Sequence, residues 1–193
     1  MLWKKIVTLV SALVFLSVLL GGCDNAVPQP PTSTSNVPSE APSTPVDPGK
    51  TAVPGQDIMT MTVYFATKDA ANLVGEKHIV PKNSHPAQTA VELLLAGTKD
   101  PALVSMVPPG TKLRNISVKD HIAYVDFSDA LVKNNKGGSA SELLLVGAIV
   151  NTLTEFHDIQ KVQILVEGKK IDTISGHMDL SEALSRSEKI IKK

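Results

Sequence analysis

The chain of 193 residues holds one cysteine, one tryptophan and only 4% aromatic side chains, and its 19 basic and 19 acidic residues cancel. Each shortage excludes something. A lone cysteine, Cys23, cannot form an intramolecular disulfide framework, a cysteine-rich zinc site or a Cys-x-x-Cys redox centre. Balanced charge without a basic cluster argues against a nucleic-acid partner, whose binding rests largely on Lys and Arg facing phosphates. The longest apolar run, residues 6–20, falls short of the roughly 20 residues that a membrane-spanning helix needs.

That run follows Lys4 and Lys5 and ends at Leu20-Gly21-Gly22-Cys23, the architecture of a secretory signal. The last four residues resemble the bacterial lipobox, in which a peptidase cuts before the cysteine once its sulfur carries a diacylglycerol. Residues 1–22 are therefore expected to be a lipoprotein signal peptide and Cys23 the lipidation site. Two or more acyl chains on Cys23 suffice for lasting attachment, so membrane lipid is an expected partner and the outer face of the cell membrane the expected location. Loss of Lys4 and Lys5 leaves 17 basic against 19 acidic side chains. The acyl chains, rather than a polybasic patch, would carry the attachment.

Residues 23–57 begin with that cysteine and continue as a Pro/Ser/Thr-rich stretch holding eight of the thirteen prolines and no aromatic residue or Leu. Such a composition cannot bury enough apolar surface to offset its ordering entropy, and it reads as a disordered tether. Its reach is roughly 30 Å as a coil and about 100 Å if polyproline-like.

Residues 58–186 read as the folded domain and 187–193 as a frayed basic tail. At the start, Met59, Met61, Val63 and Phe65 alternate with Thr60, Thr62, Tyr64 and Ala66, a strand with Thr and Tyr outside. Gly75 marks a loop, and residues 77–80 form a short edge strand ended by Pro81. A helix then begins, with Ser84 or His85 as cap, Pro86 in its first turn, and Gly97 closing it. Pro101, Pro108, Pro109 and Gly110 limit residues 103–107 to a brief extended element.

Residues 113–118 and 122–127 form a hairpin around Lys119-Asp120-His121, which asks His121 for positive φ. Ser139-x-x-Glu142 fits a capping box ahead of a long helix that is apolar nearly all round through Val150, with Gly147 permitting close approach of another element. Residues 162–166 and 171–174 alternate as strands joined through Glu167-Gly168, and residues 178–184 add a terminal helix. The order β-α-β-β-α-β describes one α+β domain, a sheet covered by two main helices on one face.

Five blocks in this order resemble the GerMN domain of sporulation and spore-germination lipoproteins. They are Thr89 to Gly97; Val107-Pro108-Pro109-Gly110-Thr111; Ala123-Tyr124-Val125-Asp126-Phe127-Ser128; residues 137–154 from Gly137-Gly138-Ser139; and residues 162–168 with Gly176-His177-Met178-Asp179. The resemblance implies a helix-strand-strand-helix-strand portion like the ring-building folds of secretion machines. It also implies an assembly or docking module with an envelope protein partner, no enzymatic activity and no cofactor. Relatives often have Asp-Gly where this chain has Asp120-His121, and some carry two tandem domains where this chain has room for one.

No residue pattern marks a catalytic site. His78, His85, His121, His157 and His177 are scattered without the helical spacing of a zinc motif, and His177-x-Asp179, the nearest to a ligand pair, reads as a loop fixture. No Gly-x-Ser-x-Gly elbow is present. Gly137-Gly138-Ser139 at a helix start suits an anion, but Glu142 is expected to fill that place by capping. Asp126 and Asp129 read as carboxylates of a solvated loop or as backbone caps. The alternative function is a module that binds cell-wall glycan or peptide, which would present Tyr64, Phe65, Tyr124, Phe127 or Phe156 on a concave surface.

Overall fold

The computed structural model describes residues 57–193. The expected signal peptide, Cys23 and nearly all of the expected tether lie outside the described residues. The long hairpin of β1 (Ile58–Thr67) and β2 (Leu73–Pro81) comes first, followed by α1 (Pro86–Ala96) and the two-residue β3 (Leu103–Val104). A second hairpin, β4 (Leu113–Lys119) and β5 (Ile122–Phe127), leads through the short α2 (Ala130–Lys133) into α3 (Ser139–Leu153). The chain closes with β6 (Lys161–Val166), β7 (Lys169–Lys170), β8 (Leu184–Ser185) and a single 3-10 turn at Glu188–Ile190.

The class is α+β, as the alternation of patterns implies, but the strands form two sheets instead of one. β1 lies between β2 and β3, while β4, β5, β6 and β7 run in that order with β8 also on β6. The α3 crossover makes β5 and β6 parallel, and every other pair is antiparallel. Helices α1 and α3 pack on each other and each touches strands of both sheets. Periodicity records which side chains turn inward; it does not record which strand lies beside which.

Several local readings change for the same kind of reason. Tyr64 and Ala66 are buried at 6% and 0% exposure rather than turned to solvent, because α3 covers that end of β1. Tyr64 N–H donates to Thr152 Oγ1 at 3.0 Å. Gly75 lies inside β2, not in a loop: it opposes Tyr64, and a Cβ there would meet Thr62 Cγ2 at 2.7 Å. Residues 171–174 are not a strand and residues 178–184 are not a helix; both are drawn into irregular chain that wraps α3. The tail is not frayed through residue 192. Ile191 bridges to Leu73, Lys192 N–H donates to the Leu73 carbonyl at 2.8 Å, and Ile190 joins the core.

The hairpin turn matches its expectation, with Asp120 at φ 52° and His121 at φ 60°. Both central residues of a two-residue type I′ turn require positive φ. α3 carries the core: residues 144–153 are buried without interruption. Gly147 is what lets the C-terminal segment approach, since a Cβ there would stand 2.3 Å from Ile190 Cδ1 and 3.3 Å from Leu73 Cδ1.

Candidate functional site

Three polar clusters fasten the domain, and each draws its residues from distant parts of the chain. The first centres on Glu142 in the first turn of α3. Instead of capping its own helix, the Glu142 side chain is fully buried and accepts four hydrogen bonds from the loop after β7. Thr173 Oγ1, Ile174 N and Ser175 N donate to Oε1 at 2.8, 2.9 and 3.0 Å, and His177 N donates to Oε2 at 2.9 Å. Burial alone would raise the carboxyl's pKa; the Ser175 amide, the Thr173 hydroxyl and the amides of Ile174 and His177 outweigh it and hold Glu142 below the ordinary glutamate range. The N-cap of α3 is Gly138, without a side-chain bond. The expected capping box is thus replaced by a tertiary anchor, because the amides of residues 174–177 offer more donors than one helix end.

The second cluster joins β5 to the turn between β6 and β7. Asp126 accepts from Arg114 Nη1 at 3.0 Å and from Gly168 N at 2.8 Å, and Arg114 also lies 3.3 Å from Glu167 Oε2. Glu167 in turn accepts the Asp129 amide at 3.0 Å. Asp129 itself pairs with Lys133 at 2.6 Å, whose hydrogen bond and charge hold its carboxyl below the usual range. Asp126 and Asp129 therefore act as separate fasteners and not as an acid-base pair.

The third cluster ties the C-terminal segment to β1 and α3. Arg186 donates to Tyr64 Oη at 2.7 Å and to the Asn151 carbonyl at 3.0 Å, and pairs with Glu155 at 2.7 Å and with Glu188. Tyr64 Oη donates to Glu155 at 2.8 Å, and the guanidinium stands 5.2 Å from the Tyr64 ring centroid. Burial pushes the Tyr64 phenol above its ordinary value. Sequence reasoning missed Asn151, Glu155 and Arg186. One signal was present: the chain has two arginines, Arg114 and Arg186, and Arg186 bonds through Nε, Nη1 and Nη2 at once, which lysine cannot do.

Two of the blocks singled out in the sequence converge on one cleft of about 470 Å³, walled by residues 105–109 on one side and by residues 134–137 with Ser141 on the other. In the first wall, Gly110 at φ 80° closes a turn in which Thr111 N and Oγ1 donate to the Pro108 carbonyl at 3.2 and 2.7 Å. Asn134 Nδ2 links the walls by donating to the Pro109 carbonyl at 2.8 Å. Asn135 Nδ2 donates to Ser175 Oγ at 2.6 Å, which couples the cleft to the Glu142 anchor.

The histidines stay apart. His78 is buried beside Phe65, His85 caps α1, and exposed His121 shares its Nδ1 with the Asp158 carbonyl at 3.1 Å. His157 and His177 are exposed. Asp179 caps Ser181 through bonds of 2.9 and 2.6 Å and takes no part with the His177 ring. Among the described residues, no group of three or more His, Cys, Asp or Glu is placed to hold a metal ion, and no helix is long and apolar enough to cross a membrane.

Fold and clusters together define a small α+β domain whose buried charges serve packing. A family model described as Germane, sporulation and spore germination, matches residues 62–172. That is more than half of the chain, and the chain belongs to this family. Among solved structures, the first GerMN domain of the sporulation protein GerM from Bacillus subtilis is similar at 25% identity and TM-score 0.58, over 66% of this chain and 98% of that one. The tandem GerMN domains of the same protein match at 24% identity and TM-score 0.58, over 67% of this chain and 46% of theirs, so this chain spans less than half of the tandem pair. No curated protein matches the chain. The family ties the domain to sporulation and spore germination.

Proposed function

We propose that the protein is a non-catalytic, lipid-anchored interaction module of the cell envelope acting in sporulation or spore germination. Cys23 holds it to the outer face of the membrane, residues 24–57 set its distance, and the domain meets an envelope protein. One observation carries the non-catalytic part of this reading: Glu142 and Asp126, the buried carboxylates of the described domain, are saturated by structural donors. Neither is left to move a proton. A reading as a wall-glycan binder asks for exposed aromatic platforms, and the five aromatic residues of the domain are buried or half-buried.

The test is genetic and biochemical. Deletion of the gene is expected to lower the yield of heat-resistant spores or their germination, and a Cys23→Ala variant is expected to leave the membrane fraction. Normal sporulation and germination in the deletion strain would overturn the role, and unchanged membrane association of the variant would overturn the anchor.

A further inference from the structure

The pairing parity of the β1–β2 hairpin decides which backbone groups face away from it. Thr67 N donates to the Asn72 carbonyl at 2.9 Å and Lys82 N to the Asp57 carbonyl at 2.8 Å, and the register between them runs without a bulge. The even-numbered residues of β2 therefore bond to β1, and Leu73, Gly75, Lys77 and Ile79 turn their N–H and C=O outward. Leu73 confirms the parity, because its carbonyl accepts Lys192 N from the opposite side. Among the described residues nothing pairs with the outward groups of Gly75, Lys77 and Ile79, and all three residues are exposed, Ile79 at 59%.

A groove of about 550 Å³ runs beside this edge, bounded by β2 and by Leu93, Lys99 and Asp100 at the end of α1. His78 lines it. That residue is 8% exposed, and its Nε2 lies 2.9 Å from Glu76 Oε1 but off the hydrogen-bonding direction, so it has no aligned partner. Two acids also line the groove and keep their charge, but they are engaged by neutral donors and not by its lysines: Glu76 accepts from Thr98 Oγ1 and from Lys99 N, and Asp100 accepts Ala102 N at 2.8 Å. Lys77 and Lys99 have no ion-pair partner among the described residues. An unpaired strand edge next to a helix, with two lysines not engaged in ion pairs and an exposed Ile, is suited to strand addition.

We propose that the edge of β2 from Gly75 to Ile79 receives an extended acidic and apolar peptide from a partner protein as an added strand. Backbone bonds to Gly75, Lys77 and Ile79 give the affinity. Carboxylates near Lys77 and Lys99, with apolar side chains against Ile79 and Leu93, give the selectivity. This deepens the interaction reading above and rests on it.

The probes are a short, blocked, fluorescein-labelled peptide of Val around two central aspartates, the same peptide with Lys in place of Asp, and the Asp peptide with its interior amides N-methylated. Anisotropy with the full-length chain in detergent micelles should show the Asp peptide binding about tenfold or more tightly than either control, a difference of about 1.4 kcal/mol. Ile79→Pro removes an outward N–H and no bond of the β1–β2 ladder, so it should abolish binding while keeping the unfolding midpoint. Lys77→Glu should narrow or reverse the preference for Asp, and it reads the same question if the proline variant does not fold. Equal binding of the three peptides, or unchanged charge preference in Lys77→Glu, overturns the proposal. So does a chain that sediments as a dimer dissolved by Ile79→Pro, because a second copy then occupies the edge. A negative peptide result removes the strand-addition site and leaves the envelope role to the deletion strain.

Discussion

Asn151 and Ser187 bond to each other twice. Ser187 N donates to Asn151 Oδ1 at 2.9 Å, and Asn151 Nδ2 donates to the Ser187 carbonyl at 3.0 Å. A side-chain amide thus imitates a strand neighbour for one residue of the C-terminal segment. Asn151 is fully buried, so Asn151→Ala leaves both backbone groups of Ser187 short of a partner and should cost about 1–3 kcal/mol. Urea unfolding measures the loss. Hydrogen exchange of the amides after Leu184 should accelerate more than that of β5, and equal acceleration in both would count against a local fastening.

Glu142 makes stability depend on acid. Its carboxyl is held below the ordinary range in the folded protein, so its contribution is present above the unfolded pKa of about 4.3 and is lost as pH falls through the lower folded value. Unfolding midpoints in urea from about pH 6 down to about pH 3 should fall for the natural chain and fall less for Glu142→Gln. At neutral pH the same substitution should cost about 1–3 kcal/mol, since a glutamine must turn an NH₂ toward at least one of the donors. Parallel pH profiles for the two proteins would refute the assignment.

Gly147 and Ile190 should be coupled. Gly147→Ala adds helix propensity worth about 1 kcal/mol but places a methyl group against Ile190 Cδ1, an overpacking of about 1–3 kcal/mol. The single variant is expected to lose stability, and Gly147→Ala with Ile190→Ala should recover part of it relative to Ile190→Ala alone. Strict additivity in the double-mutant cycle would mean that the two residues do not meet.

His121 tests the hairpin turn. Its φ of 60° suits glycine, and its one side-chain bond, to the Asp158 carbonyl, is at the surface. His121→Gly is expected to keep or raise the thermal midpoint. His121→Val should lower stability by about 1–2 kcal/mol, because a β-branched side chain resists the left-handed region. The reverse order of midpoints would exclude the type I′ turn.

What the sequence made legible follows from distance along the chain. The β4–β5 hairpin, α1 with its Pro86 and Gly97, and the span of α3 all depend on neighbours close in the chain, and their signals are local. The role of Glu142 was misread for the opposite reason. Ser139-x-x-Glu142 has the spacing of a cap, but the amides that claim the carboxylate lie more than thirty residues away. Residues 171–174 alternate like a strand, yet Ile174 is buried by the loop that closes over Glu142 and not by a sheet. Asn151 and Arg186 gave no periodic signal at all, since polar residues that meet across 35 positions leave none.

The contact between Lys192 and Leu73 has a temporal meaning. β1, β2 and α3 are synthesised well before the residues that cover Leu73 and fill the notch at Gly147. A growing chain therefore carries an unfinished surface until residues 190–192 have been made. Closure of this surface waits for the segment after β7, and a chain cut where the family match ends, at residue 172, would remove both the four donors of Glu142 and the loop that covers its carboxylate.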